Sequence, residues 1–271
     1  MNLGSDRKTR VAASVPYQRF MVRPREPEKE FCKRKDGRRD EELRPRIFES
    51  GLVSDASGSG YVEQGSTKVV AAVFGPREVT RRKEFSLKAQ LRCVFTFEPF
   101  ATPGGRQENI SLLEQRYSSW LEESLKPVVQ LRRYPKASID IRVTCLENDG
   151  GVLAAALTAC GIALATSGIE TFDLVIGVNL RAHGDRVLMD PSHAEEDAAP
   201  SREGTYGNVT LGFMPVLCQI TGLLQTGDSE PATLCQQISS LIKIAHGVKP
   251  LMEECLIDLG KLQEKLSEVQ M

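Results

Sequence analysis

Residues Val152 to Thr166 read Val-Leu-Ala-Ala-Ala-Leu-Thr-Ala-Cys-Gly-Ile-Ala-Leu-Ala-Thr, apolar on every face of a helix and rich in small side chains. A surface helix keeps a polar stripe toward water, so a helix of this kind must be buried, and its small residues let neighbouring backbones come close. With 271 residues, 41% of them hydrophobic, the chain is long enough to enclose it within one large domain or two packed halves.

The flanking patterns supply sheet. Two β-rich runs between Gly60 and Phe74 flank Gln64-Gly65-Ser66, a hairpin signal. Leu91, Cys93, Phe95 and Phe97 alternate with their neighbours, as do Ile139, Ile141, Val143 and Cys145, the spacing of half-buried strands. Between them, apolar residues from Leu112 to Leu125 recur at three- and four-residue steps and predict a helix over about 108–129. Further on, Phe172–Leu180, Arg186–Met189, Asn208–Met214 and Val216–Leu223 read as short strands, and a helix is expected over about 231–269. Residues 1–30, with Pro16, Pro24 and Pro27 amid mixed charge, read as an extended N-terminal arm, which leaves 31–271 as the folded domain.

A strand ending in Glu147 runs into Asn148-Asp149-Gly150-Gly151 and then into the buried helix. A glycine turn at a helix N-terminus offers free N–H groups and a positive dipole end, the usual basis for holding a phosphate. Here no basic or hydroxyl side chain follows the pair, because Val152 and Leu153 come next.

This turn, together with Asp36-Gly37-Arg38-Arg39-Asp40-Glu41-Glu42-Leu43-Arg44-Pro45 and the hairpin from Gly60 to Glu78, resembles the RNase PH family of 3′-end RNA phosphorylases from about Phe31 to about Gly260. Within that family the chain is most similar to non-catalytic ring subunits of the eukaryotic RNA exosome. The resemblance implies an α+β, RNase PH-like fold, with two mixed or antiparallel sheets and helices packed between and outside them. It also implies partners: other RNase PH-type ring subunits, RNA-binding cap subunits and single-stranded RNA in a hetero-oligomeric ring. Residence would be the nucleus, nucleolus and cytoplasm. Lys33-Arg34-Lys35 with Arg38-Arg39 reads either as an import signal or as part of the family motif.

In the family a hydroxyl residue and an arginine after the glycine pair hold the attacking phosphate, and two aspartates follow in a later loop. On this chain the first pair falls on Val152 and Leu153, the first aspartate on Glu196, and the second on Arg202 or on Tyr206. Phosphorolysis gathers the attacking phosphate, the scissile phosphodiester and acidic side chains at one point. Two like charges about 4 Å apart repel by about 4 kcal/mol in a protein-like medium, so a counter-charge such as an arginine fork is needed. Leu153 brings none, and neither alignment restores a second carboxylate, so no catalytic residue is assigned. The competing reading is an active phosphate-dependent 3′→5′ exoribonuclease that uses the N–H groups of Gly150 and Gly151 with an arginine lent by a neighbour.

Other features carry less. The acidic run Glu195-Glu196-Asp197 reads as a solvated loop, with spacing that matches no calcium loop; no metal and no cofactor are expected. Seven scattered cysteines without a C-x-x-C pair read as reduced, mostly buried thiols, and the histidines His183, His193 and His246 as exposed. No apolar run is long enough for a membrane span and the N-terminus has no apolar signal core, so the chain is expected to be soluble and intracellular. Although the net charge is −1, the first fifty residues carry 14 Lys and Arg against 9 Asp and Glu. Two loops, one from Gly75 with Arg77, Arg81, Arg82 and Lys83 and one with Arg106, are the expected RNA contacts, neutralising phosphates without reading bases. A free-standing RNA-binding module is disfavoured: there is no RRM-type aromatic motif, no G-x-x-G loop in a KH setting, and 6% aromatic residues leave few stacking platforms.

Overall fold

The computed structural model describes residues 34, 36–78, 88–101, 110–184, 186–197 and 206–270, with side chains described as far as residue 261. The expected N-terminal arm, 1–30, lies outside them. Residues from Arg38 onward form one compact unit.

Five strands make the first sheet: β1 (Arg46–Ser50), β2 (Gly58–Gln64), β3 (Thr67–Glu78), β4 (Gln90–Phe97) and β5 (Ala137–Glu147). Their order is β1-β2-β3-β5-β4, antiparallel except for the parallel pair β4 and β5. A parallel pair needs a crossover, and α1 (Ile110–Leu125) lies in that connection. The second sheet is antiparallel throughout, in the order β7-β6-β8-β9, with β6 (Ile176–His183), β7 (Arg186–Met189), β8 (Tyr206–Met214) and β9 (Gln219–Asp228).

Helix α2 (Val152–Thr166) lies between the sheets, against β2 and β3 on one side and β6 on the other. Residues Val152 to Leu164 are all buried, as an apolar helix without a polar stripe requires. Glycines on both sheets make the fit possible. A Cβ on Gly60 of β2 would stand 2.5 Å from the Ala159 carbonyl oxygen, and one on Gly177 of β6 would collide with the Ala154 carbonyl. Helix α1 packs on β4 and reaches β9, while α4 (Pro231–Gln270) packs on β6, β1 and α2, with Leu241, Ala245, Val248 and Met252 along its buried stripe. The edge strand β4 is closed by α1: Phe95 N–H donates to Ser118 Oγ and Phe97 N–H to Glu114 Oε1, both at 2.9 Å. Bonds of this kind blunt an edge that would otherwise pair with another chain.

Several boundaries differ from the sequence expectation. The strand expected over 216–223 begins at Gln219, because Val216 and Leu217 N–H groups both bind the Asp173 carboxylate in a turn that ends at Cys218 with φ 53°. The same carboxylate belongs to a bend, so β6 starts at Ile176 rather than Phe172. Strand β1 had no clear alternation and was not expected. Among the described cysteines, Cys93, Cys145 and Cys160 are buried as expected, whereas Cys218 and Cys235 are exposed.

Candidate functional site: a glycine turn at the head of the buried helix

The turn between β5 and α2 is held in left-handed backbone, with φ 85° at Gly150 and 67° at Gly151. A Cβ on Gly150 would lie 2.6 Å from the backbone of Ser192 and His193, and one on Gly151 would lie 2.9 Å from Asn179 Nδ2. Glycine is therefore required at both positions.

Behind the turn sits a buried cation. Arg44 donates through Nε and Nη2 to Asp190 Oδ1 at 3.0 and 2.6 Å, through Nη1 to the Asp149 carbonyl at 2.7 Å and through Nη2 to the Gly150 carbonyl at 3.1 Å. Asp190 is fully enclosed and also receives Arg44 N–H and Gln64 Nε2. Burial alone would raise its carboxyl, but the hydrogen bonds and charge of Arg44, with Arg46 beyond, outweigh that and hold it below its ordinary value. Thr67 Oγ1 completes the bracket, donating to the Gly150 carbonyl at 2.7 Å and accepting Asp149 N–H at 3.1 Å.

The front of the turn is also occupied by the chain. Gly150 N–H donates to Asn148 Oδ1 at 3.1 Å, and Gly151 N–H donates to Glu196 Oε1 at 2.8 Å. All three N–H groups from Asp149 to Gly151 thus bind oxygens of this same chain. Glu196 ends α3 (His193–Glu196), a single turn fixed by a capping box between Ser192 and Glu195 and by His193 N–H on the Asp149 carbonyl. The acidic run is therefore not the solvated loop the sequence suggested: Glu195 is buried and Glu196 faces the helix head. Burial pushes the Glu196 carboxyl up to about 7, although Gly151 N–H and the charges of Arg44 and His193 pull it the other way.

In front of Glu196 lies a cleft of about 800 Å³ between α1 and the second sheet, lined by Phe97, Tyr117, Trp120, Val152, Leu153 and Leu224 among others. Val152 and Leu153 contribute hydrocarbon there, 5% exposed each. His193 also lines it, and His183 and His193 are half-buried rather than exposed; His246 is exposed, edge-on to the Phe213 ring. Among the described residues no group of three or more His, Cys, Asp or Glu is arranged to hold a metal ion.

The remaining expected residues are scattered. Arg202 lies outside the described residues, and Tyr206 starts β8. Arg77 is in β3 rather than in a loop, paired with Ser138 of β5 and stacked on Phe74, on the outward face of the first sheet and away from the cleft. Arg81, Arg82, Lys83 and Arg106 lie outside the described residues. The sequence alone assigns no site role to Arg44, Gln64, Thr67 or Arg181. Arg181 on β6 is buried, its Nη1 donating to Asn208 Oδ1 at 3.0 Å. Burial lowers its pKa, opposed by the charges of Glu196, Asp197 and Tyr206. No local signal marks such residues, since Arg44 and Asp190 stand 146 positions apart.

The part of the chain that carries the first sheet and the glycine turn matches a known family: the model for RNase PH, the 3′ exoribonuclease family, domain 1, fits residues 42–170. The exosome complex component MTR3 of Homo sapiens is 38% identical over 201 residues, covering 69% of this chain and 72% of its own. The chain belongs to the RNase PH family. Exosome complex component mtr3 of Schizosaccharomyces pombe is 30% identical over 258 residues, 93% of this chain and 96% of that protein. Among solved structures, rice (Oryza sativa) Rrp46 superposes with a TM-score of 0.68 at 26% identity, over 81% of this chain and 98% of that one. The RNase PH-like fold expected from the sequence is thereby shown.

Proposed function

We propose that this chain is a non-catalytic ring subunit of an RNA exosome, supporting 3′→5′ RNA processing and decay through architecture rather than chemistry. One observation carries the reading: the N–H groups of Asp149, Gly150 and Gly151 are each bound by an oxygen of the chain itself, one of them the Glu196 carboxylate. An incoming phosphate would meet a carboxylate where it needs donors, and Val152 and Leu153 offer neither donor nor charge to compensate. Similarity to exosome components supports the assembly: neighbours would be other RNase PH-type subunits, with RNA-binding cap subunits above and single-stranded RNA passing through. Arg77, Arg81, Arg82, Lys83 and Arg106 are the candidate RNA contacts, and the sites of action would be nucleus, nucleolus and cytoplasm.

The test is phosphate-dependent release of nucleoside diphosphates from single-stranded RNA by the purified chain. No release is expected, while mixing with the other RNase PH-type exosome subunits yields a ring that contains the chain. Release by the native chain would instead establish an active exoribonuclease. A second preparation carrying Val152→Thr, Leu153→Arg and Glu196→Gln together should bind inorganic phosphate that the native chain does not.

A further inference from the structure

The outward face of the first sheet carries a charge arrangement that the cleft does not use. Phe74 of β3 points outward, and two guanidiniums lie over its ring: Arg77 at 5.5 Å and Arg142 at 5.3 Å from the centroid. Arg142 stands on β5, the next strand, and Arg92 on β4 beyond it, in register with Asp140. Neighbouring strands lie about 5 Å apart and same-face residues of one strand about 7 Å apart, so the three cations share one small patch. All three arginines are exposed, and among the described residues none of them is in an ion pair. The carboxylates beside the group are Asp140, which accepts a hydrogen bond from Ser138 Oγ at 3.2 Å, and the exposed Glu78, next to Arg77 at the end of β3. The opposite end of the same face differs, with Glu63, Lys68 and Glu147 in one row and Lys68 paired to Glu147.

We propose that this patch, Arg77, Arg92 and Arg142 around Phe74, binds the phosphate backbone of single-stranded RNA. A guanidinium stacked on a ring keeps its N–H fork directed outward, is weakly hydrated, and matches phosphate oxygens two at a time. Holding two forks on one ring removes side-chain freedom before the ligand arrives, which lowers the cost of binding. Three cations against two carboxylates leave a net positive charge that complements a polyanion. The centre of a protein interface is instead depleted of charge, and here the large apolar side chain exposed beside the arginines is Val94. The choice of RNA as the polyanion rests on the exosome reading above; the patch itself does not.

The experiment measures binding of fluorescein-labelled oligouridylate to the purified full chain by anisotropy across a salt series. Arg92→Glu with Arg142→Glu is compared with Lys243→Glu, a charge reversal at an exposed site on α4, and with Arg92→Lys/Arg142→Lys. The double reversal should weaken binding about tenfold or more and flatten the log–log salt dependence by about 1.4, while the lysine pair keeps most of the salt dependence. Circular dichroism melts verify that each variant is folded. Affinity and salt slope equal to the Lys243→Glu control would overturn the proposal. Assembly of the same variants with the other ring subunits is scored separately. If the double reversal blocks assembly and leaves RNA binding intact, the face is a protein interface and the RNA proposal fails, while the ring-subunit reading stands. Normal RNA loss with no assembly by any preparation, native included, would sink the ring reading and leave the patch.

Discussion

Behind the glycine turn and in front of it, the molecule follows different rules. Behind, Arg44, Asp190, Gln64 and Thr67 are buried and bonded to one another and to the carbonyls of Asp149 and Gly150. In front, Val152 and Leu153 face a cleft beside aromatic side chains, and Glu196 takes the Gly151 N–H. The rear bracket sets the shape of the turn. The front decides what the turn can bind. On the non-catalytic reading proposed above, the turn keeps its frame without its chemistry, because the frame is tied to folding and the donors are not.

The sharpest way to break this contrast is Arg44→Leu. It would leave the Asp190 carboxylate enclosed without its counter-charge and two carbonyls without their donor, at a cost of about 3–5 kcal/mol, read by urea unfolding. A loss below about 1 kcal/mol would mean that the bracket does not set the turn.

At the front, Glu196 makes stability depend on pH. Its folded pKa, about 7, lies above its ordinary 4.5. Between those values the folded state keeps a proton that the unfolded chain has lost, so this group's contribution is full below the lower value and declines as pH rises through the upper one. At about 1.4 kcal/mol per unit, the decline amounts to about 3 kcal/mol. Glu196→Gln retains an oxygen acceptor for Gly151 N–H and removes the titration. Relative to the native chain, the variant should gain stability between about pH 5 and about pH 8 in parallel unfolding curves. Parallel pH profiles for the two proteins would show that Glu196 does not titrate in the folded state.

Thr67→Val keeps the shape of an enclosed side chain and removes the hydroxyl shared by Asp149 N–H and the Gly150 carbonyl. A loss of about 1–3 kcal/mol is expected in the same unfolding assay, smaller than for Arg44 because no charge is stranded.

How far the sequence announced each half follows from the same division. The burial of α2 was legible, because a helix apolar on every face from Val152 to Leu164 has no side to turn to water, and so was the lack of donors on Val152 and Leu153, because side chains are what a sequence spells. Alternation placed β4 and β5 for the same reason. The bracket was not legible: Arg44 sits in a charged motif and Asp190 in an acidic stretch, where each looks like surface until the fold brings them together across 146 positions. Glu196 was aligned to a catalytic position but read as solvated, since nothing local tells that α3 folds back onto the head of α2.

The smallest effect follows from where Arg44 finds its partners. At Asp149 the short contact, 2.7 Å, is to the backbone carbonyl, whereas the carboxylate lies 3.7 Å from Nη1 and is 40% exposed. A partly solvated pair at that distance contributes no more than about 0.5 kcal/mol. Asp149→Asn should therefore leave the unfolding midpoint nearly unchanged, because asparagine presents the same carbonyl and the same N–H to Thr67. If it costs as much as Thr67→Val, the bracket reads the side chain rather than the backbone. The identity of residue 149 would then be as constrained as that of Gly150 and Gly151, whose side-chain positions are filled by other parts of the chain.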